Sequence, residues 1–579
     1  MSIQPQKQYG VTPPISIAGP KEMEIVANDS LLKELHQQGV FESNDGAKLR
    51  EVVLGHIHLI LTDFVKMVGM RNGMSESQAA EAGAKIYTFG SYRLGVHSPG
   101  SDIDTLCVGP RHLTREDFFS LLPDILRARD DITEVSPVPD AYVPVIGMTF
   151  MGIPIDLTYA RLNLASIPED LELFNDALLK NLDDRCVRSL NGSRVTDEIL
   201  RLVPSVPVFR DALRTIKLWA HRRAIYSNVM GFCGGVAWAM LVARICQLYP
   251  NLNAGGIVSR FFLIMYQWKW PQPVLLKPIE EGALNFRVWN PKLYPADKAH
   301  RMPIITPAYP SMCSTHNVSI STQKVMKEEF ERAGNIVDKI ICGSAEWSEL
   351  FEPHDFFTKY RYYLQITASA TGQDPSGQLR WAGTVESKIR QLVLKLEYDD
   401  YGLDTVHPFT KGFNHTHYCV DSAEANKVSD GEYPEEVVRR KPEDIEGIPS
   451  GCVVRTASYY IGLKIKKPPA DQPGPRKLDI TYPTNEFTKT VKQWDGFDET
   501  TMRIVVRYMK SGALPDSVFT QSQLEKAKEH SSQPAKATKR RQPGNAGDKV
   551  RLPLRHISTL HLSLSNECRL LYLRFYCQQ

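Results

Sequence analysis

No two of the ten cysteines in this 579-residue chain stand in a C-x-x-C pair. That argues against structural zinc and against a disulfide framework. Long hydrophobic runs are also missing: the most apolar stretch, Val236–Leu248, is broken by Arg244 and is too short to span a bilayer. The opening MSIQPQKQYGVTPPIS is polar and Pro-containing, unlike a secretion signal. A soluble intracellular protein with no membrane partner is expected. Nor does one sign of charge dominate, since 69 basic against 66 acidic residues leave a net charge of +3. Any preference for a polyanion must then come from how charge is distributed. An apolar share of 42% and a charged share of 23% describe an ordinary globular protein, and the length calls for about two to four domains.

What is present is concentrated in Phe89–Cys107, FGSYRLGVHSPGSDIDTLC. Gly90-Ser91 follows the strand-like run 86–89, and Asp102-Ile103-Asp104 opens a second run that continues through Val108. Side chains alternate along a strand, so the two carboxylates share a face. Adjacent carboxylates repel and raise each other's pKa unless a cation lies between them. A hard divalent ion with oxygen ligands is the natural neutraliser, commonly shared with substrate phosphates. The Gly-Ser turn offers backbone N–H groups to a triphosphate. An isolated Asp-x-Asp is more often a solvated edge, but a third carboxylate changes the balance. Asp156 lies between Ile155 and Leu157 in a probable central strand, where it is costly to bury unless paired or ligating a metal. Rescue by Arg161 is the structural alternative.

Periodicity predicts helices over Lys21–Gln38 and Gly46–Met70, the latter with Leu49, Val52, Val53, His56, Leu59, Ile60 and Phe64 on one face. A helix over Thr114–Arg129 is expected with Thr114 as N-cap, then strands over Tyr142–Phe150 and Ile153–Tyr159. Asn191-Gly192-Ser193-Arg194 reads as a turn. Phe209–Ala224 is an amphipathic helix whose Lys217 is suited to offset charge in phosphoryl transfer. Gly231–Gly235 opens the next helix, and a further one begins near Ser321 with Ser319 or Ser321 as cap. Beyond Pro353 a β-α-β order with later strands suggests a small α+β module. Its clusters Arg439-Arg440-Lys441 and Lys464–Lys467, with Tyr360, Tyr362, Tyr363 and Tyr401, suit single-stranded nucleic acid or are merely solubilising. Lys536–Arg541 has the composition of a nuclear-import patch, and no role is read from the apolar, basic stretch 550–579.

Together FGSYRLGVHSPGSDIDTL, the separate Asp156, RTIKLWAHRRAIYSNVMGF and HDFFTKYRYYL resemble the eukaryotic, fungal-type nuclear poly(A) polymerases of the nucleotidyltransferase superfamily, over residues 8–510. The resemblance implies an α+β multidomain fold: a nucleotidyltransferase palm, a helical middle domain and a C-terminal RRM-like (ferredoxin-like) RNA-binding domain. The corresponding division is an extended 1–20, a catalytic 21–205 whose first helices lie on the palm or the middle domain, 206–352, 353–515, and a basic disordered tail 516–579. It implies that Asp102, Asp104 and Asp156 hold two Mg²⁺ (or Mn²⁺) ions, with Asp156 on the primer side. Phe89, Gly90 and Ser91 would line the ATP, Lys217 and Tyr226 would contact its triphosphate, Asn228 would lie near adenine, and Gly235 and Val236 would complete the base pocket. Tyr142, Gly147, Asn191 and Thr315 fall at RNA or nucleotide contact positions. Two departures stand out. Ser98-Pro99-Gly100 replaces the family's Gly-Pro-Gly, and Gly147 stands where relatives commonly place a lysine near the primer.

The activity so implied is template-independent addition of AMP from ATP to RNA 3′ ends in the nucleus. The chain would act as a monomer recruited by a cleavage and polyadenylation complex. Transfer of another nucleotide such as UTP, and a silent RNA-binding scaffold of the same shape, are the alternatives. A silent scaffold would ordinarily have lost a metal carboxylate, and all three are present.

Overall fold

Leu106, Cys107 and Val108 are apolar on both faces of one strand and fully buried, which requires a sheet covered on both sides. A computed structural model supplies that sheet; it describes residues 8–282, 284–372, 374–398, 401–467 and 478–519. Strands β1 (Lys85–Thr88), β2 (Ile103–Gly109), β3 (Ile132–Val138), β4 (Val145–Phe150) and β5 (Ile153–Arg161) pair in the order β1-β2-β5-β4-β3. The β2–β5 pairing is parallel and the others are antiparallel. One face packs under the helix Asn44–Arg71, the other against Asp184–Leu202.

The helix Asn44–Arg71 buries Val53, Ile57, Leu61, Phe64 and Val68, whereas Leu49, Val52 and Leu59 face solvent. Apolar residues lie on both sides of this helix, so periodicity alone selected a face rotated away from the real one. The expected helix over Thr114–Arg129 is two, Arg115–Ser120 and Leu122–Arg127, because Pro123 removes a backbone donor at the junction. Asn191–Arg194 is not a turn. It lies inside Asp184–Leu202, where burial of Leu190, Val195 and Ile199 overrides local turn preference.

Helices Val206–Arg222, Gly235–Leu248, Ala254–Gln267 and Ile320–Ile341 share an aromatic core in which the Trp219 ring lies 5.6 Å from Trp238 and 4.8 Å from Phe262. Ser319 caps the last of them in a capping box. The first helix, Glu22–Gln37, buries Ala27, Leu31 and Leu35 in the same core. Residues from Tyr9 onward are extended, yet held firmly: Gln247 Nε2 donates to Tyr9 O, Arg244 to Thr12 Oγ1, and Ile15 N to Leu248 O.

The C-terminal part runs β6 (Tyr362–Thr371), helix Pro375–Leu396, β7 (Leu403–Pro408), β8 (Phe413–Cys419), helix Ser422–Ser429, β9 (Cys452–Ile465), helix Thr481–Lys492 and β10 (Met502–Lys510). The antiparallel order β10-β6-β9-β7, with β8 also on β9, is the ferredoxin-like arrangement. Strands β7 and β8 had no counterpart in the sequence reading. Of the aromatics and basic residues named there, Tyr360 and Tyr363 are buried and Arg440 is paired with Glu424, whereas Tyr362 and Tyr401 are half-buried. The stretches 536–541 and 550–579 lie outside the described residues.

Arg223, at the end of Val206–Arg222, ties this part to the helical layer. Its guanidinium donates twice to Glu329 at 3.0 Å and also to the carbonyls of Glu352 and Pro353. Both members are nearly buried, so removing one leaves an uncompensated charge. Glu329→Ala is expected to lower the unfolding free energy by about 3–5 kcal/mol, read as a shift of the urea midpoint. Glu328→Ala, which removes the half-exposed Lys359 pair, should change it by less than about 1 kcal/mol.

Candidate active site

In the parallel register of β2 and β5, Asp104 lies directly opposite Asp156, and Asp102 immediately precedes β2. The register adds what alternation alone leaves open: oxygens of all three carboxylates lie within 4.8 Å of one another. Burial, and then the charges of Asp102 and Asp156, hold the Asp104 carboxyl up at about 7 against the opposing pull of Lys217. Burial followed by Asp102 raises Asp156 too. Three clustered hard oxygen donors, two of them, Asp104 and Asp156, held up by burial and their neighbours, are the donor set a divalent cation requires.

The Gly-Ser turn is built around Asp104. Gly90 has φ +62°, and a Cβ there would lie 2.0 Å from Asp104 Oδ2, so conformation and space both demand glycine. Gly90 and Ser91 start the short helix Gly90–Leu94, and Gly90 N–H donates to Thr196 Oγ1 at 3.3 Å. Phe89 donates its N–H to the Asp104 carbonyl. Its ring lies under Gly192, where a Cβ would approach to 2.8 Å, so its place is beneath the site.

The facing wall is the helix Val206–Arg222. Arg210, Arg214 and Lys217 donate to the successive carbonyls of Leu94, Gly95 and Val96, Lys217 at 2.9 Å. Burial brings the Lys217 ammonium down to about 8, with Asp102 and Asp104 resisting and Arg214 assisting. Tyr226 is pushed up to about 12 by burial and then by Asp104 and Asp102, and its ring stacks on His221 at 3.9 Å. Between the walls lies a cavity of about 490 Å³ lined by Gly90, Ser91, Asp102, Asp104, Lys217, Tyr226, Gly235 and Val236, among others.

Comparison with known proteins decides the family. The Poly(A) polymerase nucleotidyltransferase domain model matches residues 10–203, the central domain model 208–353, and the Poly(A) polymerase predicted RNA binding domain model 355–528. The chain is 50% identical to poly(A) polymerase pla1 of Schizosaccharomyces pombe over 89% of its own length and 94% of that protein. It is 44% identical to nuclear poly(A) polymerase 1 of Arabidopsis thaliana over 89% of this chain and 66% of that one. The chain belongs to the poly(A) polymerase family. Among solved structures, a cytoplasmic RNA terminal U-transferase aligns at TM-score 0.37 and 15% identity, covering 57% of this chain and 99% of that one.

In this poly(A) polymerase the remaining expected residues are placed unevenly. Gly147 lies opposite Asp156 on β4, beside the carboxylate cluster. Tyr142 is 73% exposed, with the Arg188 guanidinium 4.1 Å above its ring. Asn191 is half-buried on Asp184–Leu202, its Oδ1 without a partner among the described residues. Asn228 has both ends of its amide engaged, donating to Ser314 O and accepting from Asn317. Thr315 has its hydroxyl engaged within the fold. It is fully buried, and its hydroxyl donates to Met302 O and accepts from Ile304 N, so that hydroxyl fixes a loop.

Sequence reasoning missed Ser98, Ser101, Thr196, Arg214 and His221, all of which line the cavity. For Arg214 and His221 the signal was available: both lie one turn from Lys217 on a helix already identified.

A carboxyl held at about 7 favours the proton in the fold, so its ionised form costs stability as pH rises from its ordinary range through 7, and a cation must displace that proton. Thermal stabilisation by Mn²⁺ alone is therefore expected to be small near about pH 5.5 and largest near about pH 8. A gain independent of pH, or one retained in Asp104→Asn, would count against cation binding here.

Proposed function

We propose that this chain is a polynucleotide adenylyltransferase that extends RNA 3′ ends from ATP without a template. The observation that carries this reading is the β2–β5 register, which gathers three carboxylates, two of them, Asp102 and Asp104, lining a cavity with Lys217 and Tyr226. Identity of 44–50% to named poly(A) polymerases over 89% of the chain supplies the substrate class. In the reaction the RNA 3′-hydroxyl gives up its proton to solvent and its oxygen forms a bond to the α-phosphorus of ATP, while the bond from that phosphorus to the α,β-bridging oxygen breaks and pyrophosphate leaves with that oxygen. Two divalent ions, Mg²⁺ or Mn²⁺, held by Asp102, Asp104 and Asp156 would lower the pKa of that hydroxyl and balance charge on the leaving pyrophosphate.

The chain's own groups then orient and compensate. Lys217, largely protonated at neutral pH even when brought down to about 8, presents its charge to the triphosphate in a partly desolvated site. Tyr226, pushed up to about 12, stays a neutral phenol able to donate a hydrogen bond. Gly90 and Ser91 bring backbone close to the phosphates, while Gly235 and Val236 at the start of the helix Gly235–Leu248 bound the base. Asp156, opposite Gly147 on the neighbouring strand, would serve the primer side. The same reading carries a palm at 21–205, a helical middle domain at 206–352 and an RNA-binding domain at 353–515. It also carries nuclear localisation, a monomeric state and recruitment by cleavage and polyadenylation subunits.

Extension of a labelled oligoadenylate with ATP, UTP, CTP and GTP in competition is expected to incorporate AMP selectively. Asp104→Ala should reduce it at least about 100-fold, the loss already produced by disturbing a metal site's outer partners. Preferential UMP incorporation would turn the assignment to uridylyl transfer, and full activity in Asp104→Ala would remove the triad from the mechanism. A Cβ at Gly147 would lie 3.7 Å from Asp156 Oδ1 and 3.9 Å from Ser136 O, ordinary contact distances, so the backbone there accepts a side chain. Gly147→Lys is expected to tighten primer binding and to steepen its log–log salt dependence by about 0.7; an unchanged slope would show that the position does not face the primer.

A further inference from the structure

The helix Val206–Arg222 ends in a sharp reversal. Ala224 N–H donates to His221 O at 3.2 Å and Ile225 N–H to Ala220 O at 3.0 Å, the paired bonds of a Schellman turn. Ala224 stands at the reversal with φ +54°, in the left-handed region where a Cβ is costly and glycine is usual. The turn sends the chain back toward the helix it has just left, and Tyr226 returns onto its last turn. The phenol ring lies on the His221 imidazole, centroids 3.9 Å apart and planes within 20° of parallel. Tyr226 also forms an isolated parallel bridge with Cys233, just ahead of the helix Gly235–Leu248. A Cβ at Gly235 would lie 2.5 Å from the Tyr226 hydroxyl oxygen, so the ring is bounded at its tip as well as on one face.

Tyr226 lines the catalytic cavity with Asp102, Asp104 and Lys217, and its hydroxyl has no hydrogen-bond partner among the described residues. His221 lines the same cavity one turn beyond Lys217. Neither of its ring nitrogens has a hydrogen-bond partner among the described residues, so the fixed contact of this side chain is the stack. One edge of His221 is exposed, yet desolvation of the stacked ring, and then the charges of Lys217 and Lys411, bring the imidazole down to about 4. At neutral pH it adds no charge to the site. What it adds is a flat face against a phenol.

We propose that His221 is a positioning residue for the nucleotide: its ring is the shelf that holds the Tyr226 phenol ready to donate a hydrogen bond to a triphosphate oxygen. This rests on the reading above, in which Tyr226 faces the triphosphate. A tyrosine without such a shelf gives up freedom at two torsions when it engages a ligand, and ordering it beforehand removes that cost. The gain lies in nucleotide binding, so it belongs in the nucleotide KM and not in the rate of the chemical step. It is also blind to the base, because every nucleotide brings the same triphosphate.

The test is a double-mutant cycle in primer extension by the full chain with Mn²⁺ and varied ATP, over His221→Ala, Tyr226→Phe and the two combined. His221→Ala should raise the ATP KM about 2- to 10-fold, the span an aromatic pair is worth, with kcat and the primer KM held within about 2-fold. Tyr226→Phe removes the hydroxyl that the shelf serves, so adding His221→Ala to it should raise the ATP KM no further. His221→Phe keeps the stack without ring nitrogens and should restore the unmodified KM. His221→Gln keeps a polar tip without the ring and should behave as His221→Ala does, which preserves the test should the alanine variant fold poorly. Additive losses in the double variant, or rescue by His221→Gln and not by His221→Phe, would overturn the proposal by giving the imidazole a phosphate contact of its own. An ATP KM unmoved in His221→Gln would overturn it outright. Should the unmodified chain extend the primer with UTP instead, the adenylyl reading falls, while the same cycle read on the UTP KM still decides the role of His221.

Discussion

Three carboxylates held within 4.8 Å of one another in a partly buried site are repulsive by construction, and much of this fold exists to keep them there. The parallel β2–β5 pairing fixes Asp104 opposite Asp156, and parallel pairing obliges the chain to leave the sheet and return between the two strands. It returns through the helices Arg115–Ser120 and Leu122–Arg127 and the β3–β4 pair, packing against the helix Asn44–Arg71 as it does so. Burial of Leu106, Cys107 and Val108 on both faces makes β2 hard to displace. The hydrophobic layers thus supply the free energy that holds like charges together. Gly90 belongs to the same constraint, because any Cβ there would collide with the Asp104 carboxylate.

The second wall of the site is coupled to the first by backbone carbonyls. Arg210, Arg214 and Lys217, spaced along one face of Val206–Arg222, each donate to a carbonyl between Leu94 and Val96. These carbonyls close the C-terminal end of the short helix that begins at Gly90, where cations are favoured. Gly95 makes the approach possible: its φ is +74°, and a Cβ would lie 2.5 Å from Arg210 Nε. Lys217 therefore does two things. It closes the seam between sheet and helices, and it presents the cation that faces the carboxylates across the cavity.

The parts of this arrangement legible in sequence were those governed by local periodicity. Alternation placed Asp102 and Asp104 on one face, and the cost of a lone carboxylate between Ile155 and Leu157 identified Asp156. Strand register was not legible, because nothing local specifies that Asp104 pairs with Asp156. Local preference also misled wherever burial decided otherwise. Asn191–Arg194 has turn composition but is helical because its neighbours pack against the sheet. Helix Asn44–Arg71 carries apolar residues around most of its circumference, so only packing distinguishes Val53 and Ile57 from the exposed Val52 and Leu59.

The C-terminal sheet shows why fold and function must be argued separately. Its topology is that of an RNA-recognition module, but the face such modules use is filled by hydroxyls bonded to one another and capped by 422–433 and a cluster of phenylalanines. Burying those polar groups is tolerable because most are paired: Thr367 with Ser458, Gln365 Nε2 with Tyr460, His417 with Thr456, leaving Gln365 Oε1 without a partner among the described residues. Opening the face to admit bases would break these pairs and expose the phenylalanine cluster together. That penalty makes the closed face a stable feature and leaves recognition to what projects from the edges.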